Sequence, residues 1–368
     1  MKVFWLFNHP APYKVDFFNE LGKTCELTVL FERANESGRN AIFYSERPLN
    51  FTARISKSLH LGGVNNWTRQ PIEEIKKGQY DLIVINGWRT LTERNTISYL
   101  KRRRIPFLFY INGGIIKPHE NAIKTQIKTG YIQGASHYFC PDENSFQYLV
   151  HYGADPKKIS IYPYSSIYSD EVLPSPYTDE QKSSLRKHLK IEGGKIFVST
   201  GQFIKRKNFA ELIDIWRNVP KDWILLLIGE GKEKKRYQRK AKSFGLSNMI
   251  LMPFVPHKEL LRIFRACDAF VFLSKEDIYG HVINEALSQG LPVVSSSHVN
   301  AARHLIKNGY DGYLVELNDR QGIEKAISET LEKSMQINAI NVAKENTLEA
   351  MARYHEDKFV QILKEIDK

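Results

Sequence analysis

Cysteine is scarce in these 368 residues: Cys25, Cys140 and Cys267 are three in number and far apart. They make no metal-binding or redox spacing, which excludes a disulfide framework and points to a reducing cytosol. Long apolar runs are missing too, and none approaches the roughly 20 residues that span a bilayer. The opening, Met1-Lys2-Val3-Phe4-Trp5-Leu6-Phe7-Asn8, is short and has no small-residue cleavage site. A first strand is therefore expected there rather than a signal peptide. There is no RRM, zinc-knuckle or helix-turn-helix signature, so nucleic acid is not an expected partner.

Positive charge is plentiful. The net charge is +12 and the pI is near 9.3, which favours anionic partners such as nucleotide phosphates or an anionic membrane face. The densest run is Lys101-Arg102-Arg103-Arg104. It reads either as a solvated helix end or as a membrane-surface patch, worth roughly 1 kcal/mol per basic side chain near anionic lipid. The expected location is the cytoplasm, with docking at the inner face of the membrane. At 42% hydrophobic and 26% charged, the composition is that of a globular protein, and the length suits two domains.

Short apolar runs alternate with amphipathic stretches, the pattern of parallel sheets covered by helices. In the first half the strands are expected at Val3–Phe7, Leu27–Phe31, Leu82–Ile85, Phe107–Ile111 and Tyr138–Cys140. Tyr164 to Thr178 has no clear period and reads as a linker. The alternation then restarts, with strands at Ile196–Thr200, Trp223–Ile228, Ile250–Met252, Ala269–Leu273, Val293–Ser295 and Gly312–Val315. The tail from Thr347 reads as one or two helices. The expected fold is α/β: two doubly wound parallel-sheet (Rossmann-like) domains facing across a cleft, without a detectable repeat between them. The boundaries fall at 1–163 plus about 350–368, and at 164–349. Ligands of such sheets bind at the carboxyl ends of the strands.

Three segments at such ends could do chemistry. Thr200-Gly201-Gln202-Phe203-Ile204-Lys205-Arg206-Lys207-Asn208 offers a glycine for close approach and three consecutive cations for a diphosphate. Asp277 and Glu285 stand eight residues apart around Gly280-His281-Val282. There a helix start could present free N–H groups to a phosphate, and an acid could accept from a ribose or sugar. Ile228-Gly229-Glu230-Gly231 marks a tight turn, and the Phe254-Val255 backbone could read a base edge. Alone, each segment also reads as an ordinary surface loop or helix end. Together they describe a sugar-nucleotide site.

Gln202 with Lys207, Gly229-Glu230-Gly231, Asp277 through Glu285, Gly290-Leu291-Pro292-Val293 and Asn308-Gly309-Tyr310-Asp311-Gly312-Tyr313 occur in that order. The series resembles the retaining glycosyltransferase family 4, of the GT-B fold, also described as glycosyl transferases group 1. The likeness is strong from 195 to 350 and looser before. In the first half it rests on the Ala11-Pro12-Tyr13-Lys14 segment, the Asn112-Gly113-Gly114 loop and Pro141-Asp142-Glu143. The resemblance implies an acceptor-binding first domain and a donor-binding second, with the last helix crossing back to the first. It implies that Asp277 holds hydroxyls of the transferred sugar and Glu285 the ribose. Gly280, His281 and Val282 would hold the distal phosphate, Lys207 would neutralise the diphosphate, and Gly201, Gln202, Gly229, Phe254 and Val255 would line the donor.

The chain departs from the family at four points. The first motif acid is Asp277 unless Glu276 takes its place, and Gln202 replaces an arginine whose role Arg206 could share. The loop after the first strand, Asn8-His9-Pro10-Ala11-Pro12, lacks the glycine pair. Tyr110-Ile111-Asn112-Gly113-Gly114 lacks the histidine near the reacting carbon. Acceptor-side candidates are Pro12, Tyr13, Asn112, Gly113 and Gly114, with His9 or His119 as contributing histidines. Acceptor recognition is expected in Glu32–Ser58 and in loops near Lys117–Lys128.

The resemblance implies a hexosyltransferase that moves sugar from a nucleoside diphosphate sugar, UDP by the family's habit, to a glycan or lipid-linked hydroxyl. It implies retention by front-face displacement, since no second carboxylate nucleophile is evident. No Asp-x-Asp triplet occurs, so fixed cations are expected in place of a metal, with no other cofactor. Competing readings are a GT-B-like epimerase or phosphorylase, and a basic binding protein without catalysis. No lysine stands in the context that a pyridoxal-phosphate phosphorylase would require.

Overall fold

The structure is a computed structural model and describes residues 1–34, 49–60, 66–117, 119–191 and 193–366. Of the expected recognition segment Glu32–Ser58, residues 35–48 lie outside the described residues. The chain divides into two compact units: Met1–Ser166 with Thr347–Lys368, and Ile167–Asn346.

Unit 1 runs β1 (Lys2–Phe7), α1 (Pro12–Leu21), β2 (Glu26–Phe31), β3 (Thr52–Ile55), a small β4 (Leu59–His60) and β5 (Asn66–Trp67) ladder, and α2 (Gln70–Gly78). It continues with β6 (Leu82–Asn86), α3 (Leu91–Arg103), β7 (Leu108–Tyr110), α4 (Ala122–Ile132), β8 (His137–Cys140), α5 (Glu143–His151) and β9 (Ile159–Ile161). The main sheet is parallel throughout, in the order β3-β2-β1-β6-β7-β8-β9. Its central strands are continuous apolar runs because helices cover both faces. Val3, Phe4, Trp5 and Leu6 are all fully buried, and each such side chain contributes about 1.5–3 kcal/mol.

Unit 2 runs α6 (Asp179–Leu189), β10 (Ile196–Thr200), α7 (Phe209–Ile215), β11 (Ile224–Ile228), α8 (Lys234–Ser243), β12 (Met249–Met252), α9 (His257–Ala266) and β13 (Ala269–Phe272). Then come α10 (Val282–Ser288), β14 (Val293–Ser296), α11 (Asn300–Leu305), β15 (Gly312–Val315), α12 (Arg320–Glu329) and α13 (Lys333–Glu345). Its parallel sheet has the order β12-β11-β10-β13-β14-β15. Phe197, Trp216, Leu227 and Val271 are among the side chains that fill one face of it. The aperiodic stretch after Tyr164 is held down in part: the Leu173 N–H donates to the Ser288 carbonyl (2.9 Å), and Gln289 Nε2 donates to the Glu171 carbonyl (2.8 Å).

The last helix, α14 (Leu348–Ile366), returns to unit 1 and packs on α1. Its His355 is fully buried among the rings of Trp5, Phe17, Tyr110, Phe139 and Tyr162. That burial pushes its imidazole down to about 3, so it is neutral. Lys14 is buried beneath the same rings, with Nζ 3.0 Å from the Tyr110 hydroxyl. Desolvation lowers its amine well below the usual lysine range.

In both sheets the strand order reverses once, between β1 and β6 in unit 1 and between β10 and β13 in unit 2. Outside the carboxyl ends of the strands, such a reversal opens the crevice in which doubly wound sheets bind ligands.

Candidate active site

In unit 2 the reversal gathers the two segments that carry the charge. Leaving β10, the chain passes Gly201 and the exposed Gln202 into a single 3-10 turn, Lys205–Lys207, ended by Asn208 in the left-handed region (φ 58°). Leaving β13, it passes Ser274 to Asp277. Two hydrogen bonds join them: the Lys275 N–H donates to the Arg206 carbonyl (2.9 Å), and Ser274 Oγ donates to the same oxygen (3.2 Å). Lys207 Nζ pairs with Asp277 Oδ2 and sits over the Phe272 ring, 4.6 Å from its centroid. An Arg206 guanidinium nitrogen stands 3.6 Å from Asp277 Oδ1 and donates to the Glu276 carbonyl. Asp277, not Glu276, is thus the acid that meets both cations.

Gly280 closes on the same point. It lies at φ +99°, and a Cβ there would stand 3.7 Å from the Asp277 carboxyl carbon and 2.8 Å from Val299 Cγ1. Only glycine makes this turn without strain. It delivers His281 and Val282 to the start of α10, whose N-cap is His281. Behind the cationic turn, Gly229 (φ +153°) packs on Gly201, whose carbonyl would be 2.0 Å from any added Cβ. Glu285, half-buried in the first turn of α10, faces His257 Nδ1 at 3.7 Å, and His257 Nε2 is 3.4 Å from Glu171. Sequence reasoning missed His257, although it follows the expected Phe254-Val255 segment by two residues. Phe254 is 46% exposed at the carboxyl end of β12.

In unit 1 the acceptor-side candidates separate. Pro12 and Tyr13 open α1, and the Tyr13 ring meets Tyr164 edge-on at 6.3 Å. Asn112 and Gly113 follow β7. Gly114 points inward: it is buried, its N–H donates to Ser145 Oγ (2.9 Å), and a Cβ would strike the Tyr148 ring. That N–H is spent on packing against α5. His9 is buried after β1, whereas His119 is exposed.

The basic run Lys101–Arg104 ends α3, where cations complement the helix dipole. Lys101 Nζ donates to the Gly130 carbonyl (2.7 Å). A hollow of about 640 Å³ lies beside this run, at the amino end of β7, the opposite sheet edge from the site residues. No helix among the described residues is long and apolar enough to cross a membrane. Among the described residues no three His, Cys, Asp or Glu side chains gather as metal ligands.

Residues 180–350 match the family described as Glycosyl transferases group 1. A lipopolysaccharide core biosynthesis glycosyltransferase, LpsE of Rhizobium meliloti, is 31% identical over 36% of this chain and 38% of its own length. The amylovoran biosynthesis glycosyltransferase AmsD of Erwinia amylovora is 29% identical over 34% of this chain and 35% of its own. An Escherichia coli UDP-Gal:alpha-D-GlcNAc-diphosphoundecaprenol alpha-1,3-galactosyltransferase is 27% identical over 58% of this chain and 53% of its own. The chain therefore spans between about a third and a half of the length of these relatives. Among solved structures, Anabaena HepE in complex with UDP matches 98% of this chain and 100% of its own, with TM-score 0.77 at 15% identity. WaaG, a glycosyltransferase of lipopolysaccharide biosynthesis, matches 97% of this chain and 99% of its own, with TM-score 0.68 at 13% identity. The fold of this chain is the GT-B fold, two parallel-sheet Rossmann-like α/β domains.

Proposed function

We propose that this chain is a glycosyltransferase that moves a sugar from a nucleoside diphosphate sugar, with UDP the preferred carrier, to a hydroxyl of a glycan or lipid-linked acceptor. One observation carries the reading: Arg206, Lys207 and the Gly280 turn all meet at Asp277. Two cations and a glycine-opened backbone on one side of an acid suit a diphosphate attached to a sugar. In this reading the diphosphate takes over Lys207 and Arg206, and Asp277 is released to the sugar hydroxyls. Glu285 accepts from the ribose, and the Phe254-Val255 backbone meets the base.

Bond cleavage places charge on the departing phosphate. Cations fixed in advance stabilise that charge without reorganising, which is the largest single contribution in many enzymes. The C1–O bond to the diphosphate breaks and the C1–O bond to the acceptor forms on the same face. The acceptor's proton passes to the departing phosphate oxygen, so the products are the glycoside and the nucleoside diphosphate. The configuration is retained. Arg206 and Lys207 fill the place of a metal, so turnover should survive excess EDTA. Cytoplasmic action at the inner membrane face fits the net charge of +12.

A thermal-shift panel of UDP-, GDP- and ADP-sugars tests the reading. A ligand at 100 times its Kd adds about 2.7 kcal/mol. Stabilisation by a UDP-sugar, release of free UDP with acceptor, and a product with the donor's anomeric configuration are expected. Release of inorganic phosphate in place of UDP would indicate a phosphorylase, and no stabilisation by any nucleotide sugar refutes the proposal.

A further inference from the structure

We propose that the side-chain amides of Asn8, Asn86 and Asn112, at the strand reversal of unit 1, form one recognition row for the hydroxyl groups of an uncharged acceptor sugar. The inference rests on the transferase reading and adds to it the residues and the chemistry of the acceptor side.

Asn8 follows β1, Asn86 ends β6 and Asn112 follows β7, so the three stand on adjacent strand ends across the reversal. They are bonded in series. The Tyr164 hydroxyl is 3.2 Å from Asn112 Oδ1. Asn112 Nδ2 donates to Asn86 Oδ1 (3.3 Å), and Asn86 Nδ2 donates to Asn8 Oδ1 (2.7 Å). Asn86 is 5% exposed while Asn8 and Asn112 are half-buried. The row is thus anchored below and open above. The Asn8 amide NH2 at its end has no acceptor among the described residues.

A second buried group borders the row. Glu32 follows β2, and its N–H donates to the Phe7 carbonyl while the Arg33 N–H donates to the Asn8 carbonyl. Its Oε1 accepts from Thr90 Oγ1 (2.8 Å), a residue of the loop after β6. That bond crosses the end of β1, because β1 lies between β2 and β6. Glu32 is 1% exposed, and its carboxyl meets the hydroxyls of Thr90 and Thr92. Burial, with Glu93 nearby, pushes its carboxyl up to about 9. Amide groups and a neutral carboxyl match hydroxyls, which both donate and accept. Phosphate and carboxylate ligands call instead for arginine or lysine.

Asn86 is a positioning residue here and Asn8 the contacting one. The test uses saturation-transfer NMR on the full chain. The probes are methyl α-glucoside, methyl α-galactoside and N-acetylglucosamine, with glucose 6-phosphate and glucuronate as anionic counterparts. UDP affinity is measured calorimetrically on the same samples. At least one neutral sugar should bind, and Asn8→Ala should weaken it roughly tenfold, the cost of a lost hydrogen bond. Asn86→Ala should do the same, UDP affinity should be unchanged in both, and the double variant should be no weaker than either single one. A merely structural Asn86 would give additive losses. Unchanged sugar binding in Asn8→Ala, additive losses, binding of the anionic sugars alone, or no sugar binding in a protein that binds UDP overturns the inference. Absence of UDP binding with sugar binding intact overturns the transferase reading and leaves the row standing.

Discussion

The two units solve the same topological problem with opposite chemistry. Each sheet reverses its strand order once and opens its carboxyl edge there. In unit 2 the opening is charged: Arg206 and Lys207 from one side meet Asp277 from the other. In unit 1 it is lined by an amide row and by a carboxyl that burial holds toward its protonated form. The same scaffold thus offers point charges at one strand reversal and hydrogen-bonding dipoles at the other. Fold alone assigns neither role. The side chains at the reversal distinguish them.

The sharpest way to break the contrast is to remove a charge. Lys207→Ala should lower kcat by about 10² to 10³-fold, the usual cost of one transition-state donor. Glu285→Ala should cost at least tenfold. Both proteins should keep their wild-type melting profile, since Lys207 and Glu285 lie at the edge of the sheet rather than in its core. Near-normal steady-state rates in both would remove unit 2 from the chemistry.

Salt separates the two edges with a smaller effect. Screening shortens from about 10 Å at 0.1 M to about 3 Å at 1 M. Donor KM should therefore rise severalfold over that range, because the Arg206 side chain is partly open to solvent. Acceptor KM, set by amides, should stay put. Equal salt sensitivity of the two KM values would erase the distinction drawn between the units.

Legibility in the sequence differed between the units for the same physical reason. The unit 2 site is built from contiguous runs, 200–208 and 274–286, so its residues announce one another through spacing. The unit 1 row joins residues 78 and 26 positions apart, and each asparagine alone reads as an ordinary strand-end turn. Central strands such as Ile196–Thr200 were readable because burial on both faces makes them solidly apolar. Edge elements were not: Thr52–Ile55 is exposed along its whole length, and Ile159–Ile161 has three residues. Helix α4 has only Ile132 buried, so no apolar stripe marked it in advance. Gly114, expected on the acceptor side, has the Tyr148 ring packed against it, a tertiary constraint that no local pattern carries.

The smallest effect is on stability, and it probes the neutral edge directly. Glu32 titrates near 9 in the folded protein through burial and the adjacent Glu93, and Glu93 near 7 through burial. Unfolded, both titrate near 4.3. Between those values the folded state holds more protons than the unfolded one, so stability is greatest at low pH in this window and falls as pH rises. Glu32→Gln keeps the shape and stays neutral at every pH. Its melting temperature should exceed that of the wild type by about 2 °C or more at pH 8, each kcal/mol being worth roughly that much in a chain of this size. The gap should close toward pH 5, and melting curves across that range measure it. Identical pH slopes for the two proteins would mean that Glu32 is ionised in the native state. The crevice of unit 1 would then carry charge like its counterpart, and the amide row would have to recognise its ligand beside an anion.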